Sequence, residues 1–182
     1  HVIPSGYEAA LFVPGSQRTA RQALGWEQGG RVALIHVGGD PAGKRLDLAE
    51  EAVALARDRG VPWELVVLRG DRTNAEVAEM MRAADVLIVA SEREGSPTVV
   101  KEAMASALPV ITVDVGDVLQ RLAHVMPTWI VDRSASDIAA ALLEAAPLRA
   151  RSNGPLHAAS LSNAVVAGRL LDVYATIRRP AR

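Results

Sequence analysis

Residues 86–113 read VLIVASEREGSPTVVKEAMASALPVITV, and this stretch decides the fold. Residues 86–90 are an unbroken apolar run, so the strand they form has no wet face and lies inside a sheet covered on both sides. Residues 91–96 are polar. Pro97 then stands where a helix tolerates it best, at the first helical position, with Ser96 before it to cap the free amides. The helix is expected from residue 97 to about 107, where Leu108 and Pro109 stop it. Residues 110–113 return as a second buried strand. Strand, polar loop, capped helix and strand together make one βαβ unit.

The same unit repeats outward in both directions. Upstream, residues 31–37 (RVALIHV) form a first strand ended by Gly38 and Gly39. Residues 44–59 follow as a helix with Leu46, Ala49, Val53 and Ala56 at helical spacing, closed by Gly60. Residues 63–68 form the next strand, and residues 74–84 a short helix. Downstream, helices at 117–124 and 136–146 flank a strand at 128–131. The alternation predicts an α/β fold, a Rossmann-like doubly wound parallel sheet. Residues 1–30 read as a linker holding a short helix at 18–24, and residues 31–150 as the Rossmann-like domain. Residues 151–182 read as a loop and an amphipathic clasp helix from about 161 to 177.

The chain has 182 residues, 49% hydrophobic and 23% charged, with a formal net charge of −1 and a pI near 6.5. That composition suits one globular domain with a sizeable core. It gives no overall basic field, so no nucleic-acid partner is expected. No apolar run reaches the roughly 20 residues needed to cross a bilayer, no leader pattern opens the sequence, and a cytoplasmic location is expected. Zero cysteines exclude a disulfide framework, and the four scattered histidines do not suggest a zinc site. Neither metal nor cofactor is expected.

In a doubly wound sheet the ligand lies beyond the carboxyl ends of the strands, which directs attention to two loops. The first reads Gly38, Gly39, Asp40, Pro41, Ala42, Gly43, Lys44. Its glycines permit close backbone approach, and a cation at a helix start opposes the helix dipole unless an anion is bound. Taken alone, this loop favours a tight turn with a solvated lysine. The second loop leads into the Pro97 helix, whose amides and dipole can hold a diphosphate. Glu94 stands before that helix and Glu102 about one and a half turns inside it. Spacing alone leaves two readings open: a pair of carboxylates framing a ligand, or a charged loop with one exposed helix carboxylate.

Residues 94–117, EGSPTVVKEAMASALPVITVDVGD, resemble the signature of glycosyltransferase family 4, also called group 1, with two glutamates separated by seven residues and an EAMA helix. The likeness extends to VIPSGYEAALFVP (2–14), AADVLIVAS (83–91) and LLDVY (170–174), so it covers nearly the whole chain. The resemblance implies the nucleotide-sugar-binding half of a GT-B fold, retaining and independent of metal, with a UDP- or GDP-linked donor. The acceptor would be bound by an N-terminal domain absent from this sequence. Glu102 would hold the ribose hydroxyls and Glu94 the transferred sugar. The amides of Ser96, Pro97's neighbour Thr98, and Val99 would meet the sugar and diphosphate, beside Gly38, Gly39 and Gly95. Lys44 would neutralise the leaving diphosphate. Many members carry an arginine where this chain has Gly39, and Arg45 is expected to point elsewhere.

The remaining conspicuous residues read as structural. His36 is expected to be a core histidine, and Trp26, Trp63 and Trp129 to pack rather than stack on a base. Asp114 and Asp117 around Gly116 shape a turn. Arg178, Arg179 and Arg182 form a solvated basic end; peripheral contact with an anionic membrane is the weaker reading. A stand-alone nucleotide-binding or regulatory module is the alternative to an enzyme. A nucleotide-sugar epimerase and an NAD-dependent dehydrogenase fit less well, the latter because residues 38–43 lack GxGxxG.

Overall fold

The computed structural model describes residues 2–177. The basic end at Arg178, Arg179 and Arg182 lies outside the described residues. Five strands, β1 (Arg31–His36), β2 (Trp63–Leu68), β3 (Val86–Val89), β4 (Val110–Val113) and β5 (Thr128–Val131), form one sheet in the order β2-β1-β3-β4-β5. All four pairings are parallel. The order reverses between β1 and β3, and that switch opens a crevice at their carboxyl ends.

Strand alternation builds two cores. Val32 and Leu34 of β1 face one side, with α1 (Gln17–Leu24), α3 (Asn74–Ala83), α4 (Thr98–Ala105) and α5 (Val118–Leu122). Ala33 and Ile35 face the other, with α2 (Leu46–Asp58) and α6 (Ala135–Ala145). All four residues of β3 and of β4 are buried, and each such Val, Leu or Ile contributes about 1.5–3 kcal/mol on leaving water. Trp63 is also fully buried within the second core.

Two helix starts next to the loops singled out in the sequence differ from expectation. The helix expected from Lys44 begins at Leu46, because the chain makes a separate turn first: Lys44 N–H donates to the Asp40 carbonyl and Arg45 adopts φ of 53°. Lys44 therefore stands ahead of the helix, not inside it. The helix expected from Pro97 begins at Thr98, with Pro97 as its cap and no capping side chain. Ser96 does not cap it, because its hydroxyl donates to Asp117 Oδ2 at 2.7 Å. The amides of that helix are consequently left without a side-chain acceptor.

The leading segment lies against the domain. Tyr7 and Phe12 are buried in the first core. Tyr7 N–H donates to Leu161 O at 3.2 Å, and Asn163 N–H donates to Tyr7 O at 2.9 Å. Arg21 of α1 is buried, with its guanidinium spent on Asp85 and on the carbonyls of Ala83, Glu27, Gln28 and Gly30. Beyond α6, a short helix α7 (Pro155–Ala158) and a 3₁₀ turn precede α8 (Asn163–Ile177). The expected clasp helix thus starts two residues later than the sequence suggested, and α7 was not expected.

Candidate functional site

A cleft of about 330 Å³ opens at the carboxyl ends of β1 and β2, bounded by the loop before α4 and by the first turns of α3 and α4. Lys44, Glu94, Pro97, Thr98, Val99 and Glu102 all line it. The fold thus brings the two glutamates and the lysine to one concavity. Gly38, Gly39, Gly95 and Ser96 are not among the lining residues. Gly38 lies behind the rim, where a Cβ on Gly70 would stand 3.7 Å from its Cα. Gly95 turns its carbonyl to Gly116, and Ser96 is held by Asp117.

The loop geometry accounts for this convergence. Glu92 N–H donates to Gly43 O at 2.9 Å, tying the loop after β3 to the turn after β1. Lys44 Nζ then pairs directly with Glu94 Oε1, and Ser91 Oγ donates to the same oxygen at 2.8 Å. One carboxylate oxygen therefore carries two donors, which fixes the direction of the Glu94 side chain. Arg45 turns away to Asp47 at 2.8 Å and lies 3.8 Å from Glu92.

Glu102 is in a different state. It projects from the second turn of α4, and no hydrogen bond to its carboxyl is found among the described residues. Burial pushes its pKa up to about 7, against a smaller opposing pull from Lys101. A half-buried carboxyl without a protein partner is a costly arrangement unless something else supplies donors. Lys101, beside it in sequence, is fully buried and points the other way. Its ammonium donates to the carbonyls of Ser5 and Ser96 at 2.7 and 3.2 Å, fastening the leading segment to the loop before α4.

The far end of the cleft was not found by sequence reasoning. Leu68, Gly70, Arg72, Asn74 and Val77 line it. Thr73 caps α3 there through a reciprocal capping box with Glu76, which consumes the only acidic side chain of that helix's first turn. His36 is a correction. It was expected in the core, but it is half-buried at the end of β1 and lines the cleft beside Lys44 and Glu94. The signal was available, since the last residue of a first strand is where an α/β sheet presents its ligand site. The tryptophans stay out of the cleft: Trp26 and Trp129 pack against the cores, and Trp129 Nε1 donates to Glu144 at 3.0 Å. Among the described residues, no group of three or more His, Asp or Glu is placed to hold a metal ion, and no helix is long and apolar enough to cross a membrane.

Residues 19–147 match the family described as Glycosyl transferases group 1. The chain belongs to that family. It is 30% identical over 148 residues to D-inositol 3-phosphate glycosyltransferase from Acidothermus cellulolyticus, covering 63% of this chain and 33% of the relative. The corresponding protein of Mycolicibacterium gilvum is 27% identical over 140 residues, 63% of this chain and 31% of that one. The chain thus spans about a third of the length of these relatives. Its fold superposes on HepE from Anabaena, solved with UDP-glucose, with a TM-score of 0.74 at 15% identity, covering 97% of this chain and 57% of HepE. The architecture is that of one Rossmann-like half of a GT-B glycosyltransferase.

Proposed function

We propose that this glycosyltransferase domain is the donor-binding half of a retaining hexosyl transferase, which moves a sugar from a UDP- or GDP-linked donor to an acceptor held by a separate N-terminal domain. The observation that carries this reading is the meeting of Lys44, Glu94 and Glu102 on one cleft at the uncapped start of α4. Free amides and the positive dipole end of that helix suit a diphosphate. Glu102, lacking a protein donor, accepts the ribose hydroxyls. Glu94, fixed by Lys44 and Ser91, faces the transferred sugar. As the glycosyl bond breaks, negative charge grows on the leaving diphosphate, and Lys44 with the Thr98 and Val99 amides stabilises it there without a bound metal. HepE, solved with UDP-glucose, supports a nucleotide sugar as the donor. Residues 31–150 form the nucleotide domain in this reading, with residues 1–30 and 151–182 joining it to the remainder of a cytoplasmic enzyme.

The test is a thermal-shift and calorimetric panel of UDP, GDP and their sugar conjugates, since a ligand that binds the folded state raises its apparent stability. At least one nucleoside diphosphate should bind, and Glu102→Ala should weaken it by about 1.5–3 kcal/mol, the worth of hydrogen bonds to a charged group. Absence of any nucleotide binding would overturn the reading.

A further inference from the structure

The cleft is short of positive charge for the ligand it is built to hold. Its lining cations are Lys44 and Arg72. Lys44 is already paired with Glu94, and Arg72 sits at the outer rim, half-exposed and 3.8 Å from Glu76. Glu94 and Glu102 bring two carboxyls to the same walls, so with both ionised the lining side chains sum to no net charge before His36 is counted. A diphosphate adds at least two negative charges to that space. The loop after β1 offers no further cation, because Gly39 stands where an arginine is common in the family that the sequence resembles. Among the lining residues, His36 is the one remaining side chain that can become a cation.

Its placement suits that use. Residues 32, 34 and 36 of β1 share a face, and the first two pack in the core beneath α3 and α4. His36 is one step further along, at the point where the core ends and the cleft begins. None of the hydrogen bonds among the described residues involves its ring. Charged groups face it from two loops: Lys44 after β1 and Glu94 before α4. Glu102 of α4 and Arg72 of the loop before α3 border the same cleft, and α3 itself contributes only the uncharged Asn74 and Val77. In the open cleft, burial and then the Lys44 charge hold the imidazole below its ordinary pKa, with Glu94 opposing, so the ring is neutral at neutral pH. An entering diphosphate reverses the local field and gives the ring an anion to donate to.

Resting on the donor-site reading above, we propose that His36 is a donor-binding residue that takes up a proton as the diphosphate enters, supplying a further cation beside Lys44. The proton comes from solvent and returns to it on release; no bond of the donor is made or broken in the step. UDP-glucose and GDP-mannose are the probes, because their esterified diphosphates do not themselves titrate near neutrality. The imidazole resonances of the chain are followed against pH by NMR, free and saturated with whichever sugar nucleotide binds, and His36→Asn identifies the His36 signal. The His36 signal should titrate at least about one pH unit higher in the saturated chain, and His36→Asn should weaken binding about tenfold near pH 6 but by less than about twofold near pH 8.5. Glu102 works in the opposite sense, since its ionisation favours binding as pH rises, so the two contributions separate by direction. A sugar nucleotide that binds without moving the His36 titration, or an equal loss in His36→Asn at every pH, would overturn the His36 inference and leave the donor site standing. Failure of both probes to bind would remove the donor site and the inference together.

Discussion

Glu102 and Glu94 carry the same functional group in the same cleft, and their surroundings give them opposite properties. Glu102 has a folded-state pKa near 7 against an ordinary 4.5, so between those values the folded chain binds a proton that the unfolded chain has lost. Its contribution to stability is therefore present at about pH 4.5 and is lost as pH rises to 7. Glu102→Gln should raise the melting temperature at pH 8 relative to wild type, by up to about 3 kcal/mol in stability, with the gap closing toward pH 4.5. Parallel melting curves at the two pH values check this; a gap that stays constant with pH would mean that Glu102 keeps an ordinary pKa. Glu94 is held through one oxygen by Lys44 and Ser91, so its removal frees Lys44. Glu94→Gln should leave affinity for a bare nucleoside diphosphate unchanged or improved while weakening the matching nucleotide sugar, which calorimetry with the two ligands resolves. Loss of both affinities together would show that Glu94 shapes the diphosphate site instead. That Glu94 and Glu102 border one cleft was legible through the resemblance of residues 94–117 to a known signature, since their spacing alone left two readings open. For His36 the apolar run pointed to the core, and only its place as the last residue of β1 marks it as a cleft residue.

At the scale of elements, the strands were legible and the helix starts beside the two cleft loops were not. An apolar run of four to six residues can be placed from composition alone, whereas a helix start depends on where one side chain finds its partner. Ser96 has a capping residue's chemistry, yet Asp117, 21 positions later, takes its hydroxyl. That contact is long-range and invisible to a local pattern. It also shows that the loop after β4 supports the loop before α4, a dependence made tighter by Gly116. This glycine has φ of 59°, and a Cβ there would stand 2.5 Å from Gly95 O. Gly116→Ala should therefore both strain its own turn and push the donor loop, destabilising the fold by about 1–3 kcal/mol and weakening nucleotide affinity. Denaturant unfolding and nucleotide titration measure the two effects; destabilisation with unchanged affinity would mean that the loop before α4 keeps its position without that support. The helix α7 left no trace in sequence reading, since four residues after an Asn-Gly turn carry no periodicity.

For the whole molecule, the position of the chain's two flanking segments bears on what the domain can do alone. Ser5 reaches Thr98 Oγ1 at 3.1 Å and takes the Lys101 ammonium, so the leading segment runs past the start of α4. Tyr7 pairs with Ser162, which brings the start of α8 to the same place, and Leu171 and Tyr174 of that helix are exposed. The cleft is lined by the ends of β1 and β2, by the loops after β1, β2 and β3, and by the starts of α3 and α4. Sugar transfer requires donor and acceptor held at near-attack distance, and the rate advantage of such positioning comes from enclosure by both sides. In the proposed donor site, binding of the nucleotide and diphosphate makes no such demand, because Lys44, the α4 amides and Glu102 all belong to this chain. In an open site the electrostatic contacts are also screened by water and are weaker than in a closed one. The 182-residue chain should accordingly bind its nucleoside diphosphate measurably, gain little from the attached sugar, and hydrolyse the donor slowly without glycosylating an acceptor. Product analysis by mass spectrometry, with a nucleotide sugar and a set of polyol and lipid-linked acceptors, distinguishes hydrolysis from transfer. Efficient transfer by this chain alone would require an acceptor site built from the leading segment or α8, and would overturn the assignment of the acceptor to a separate domain.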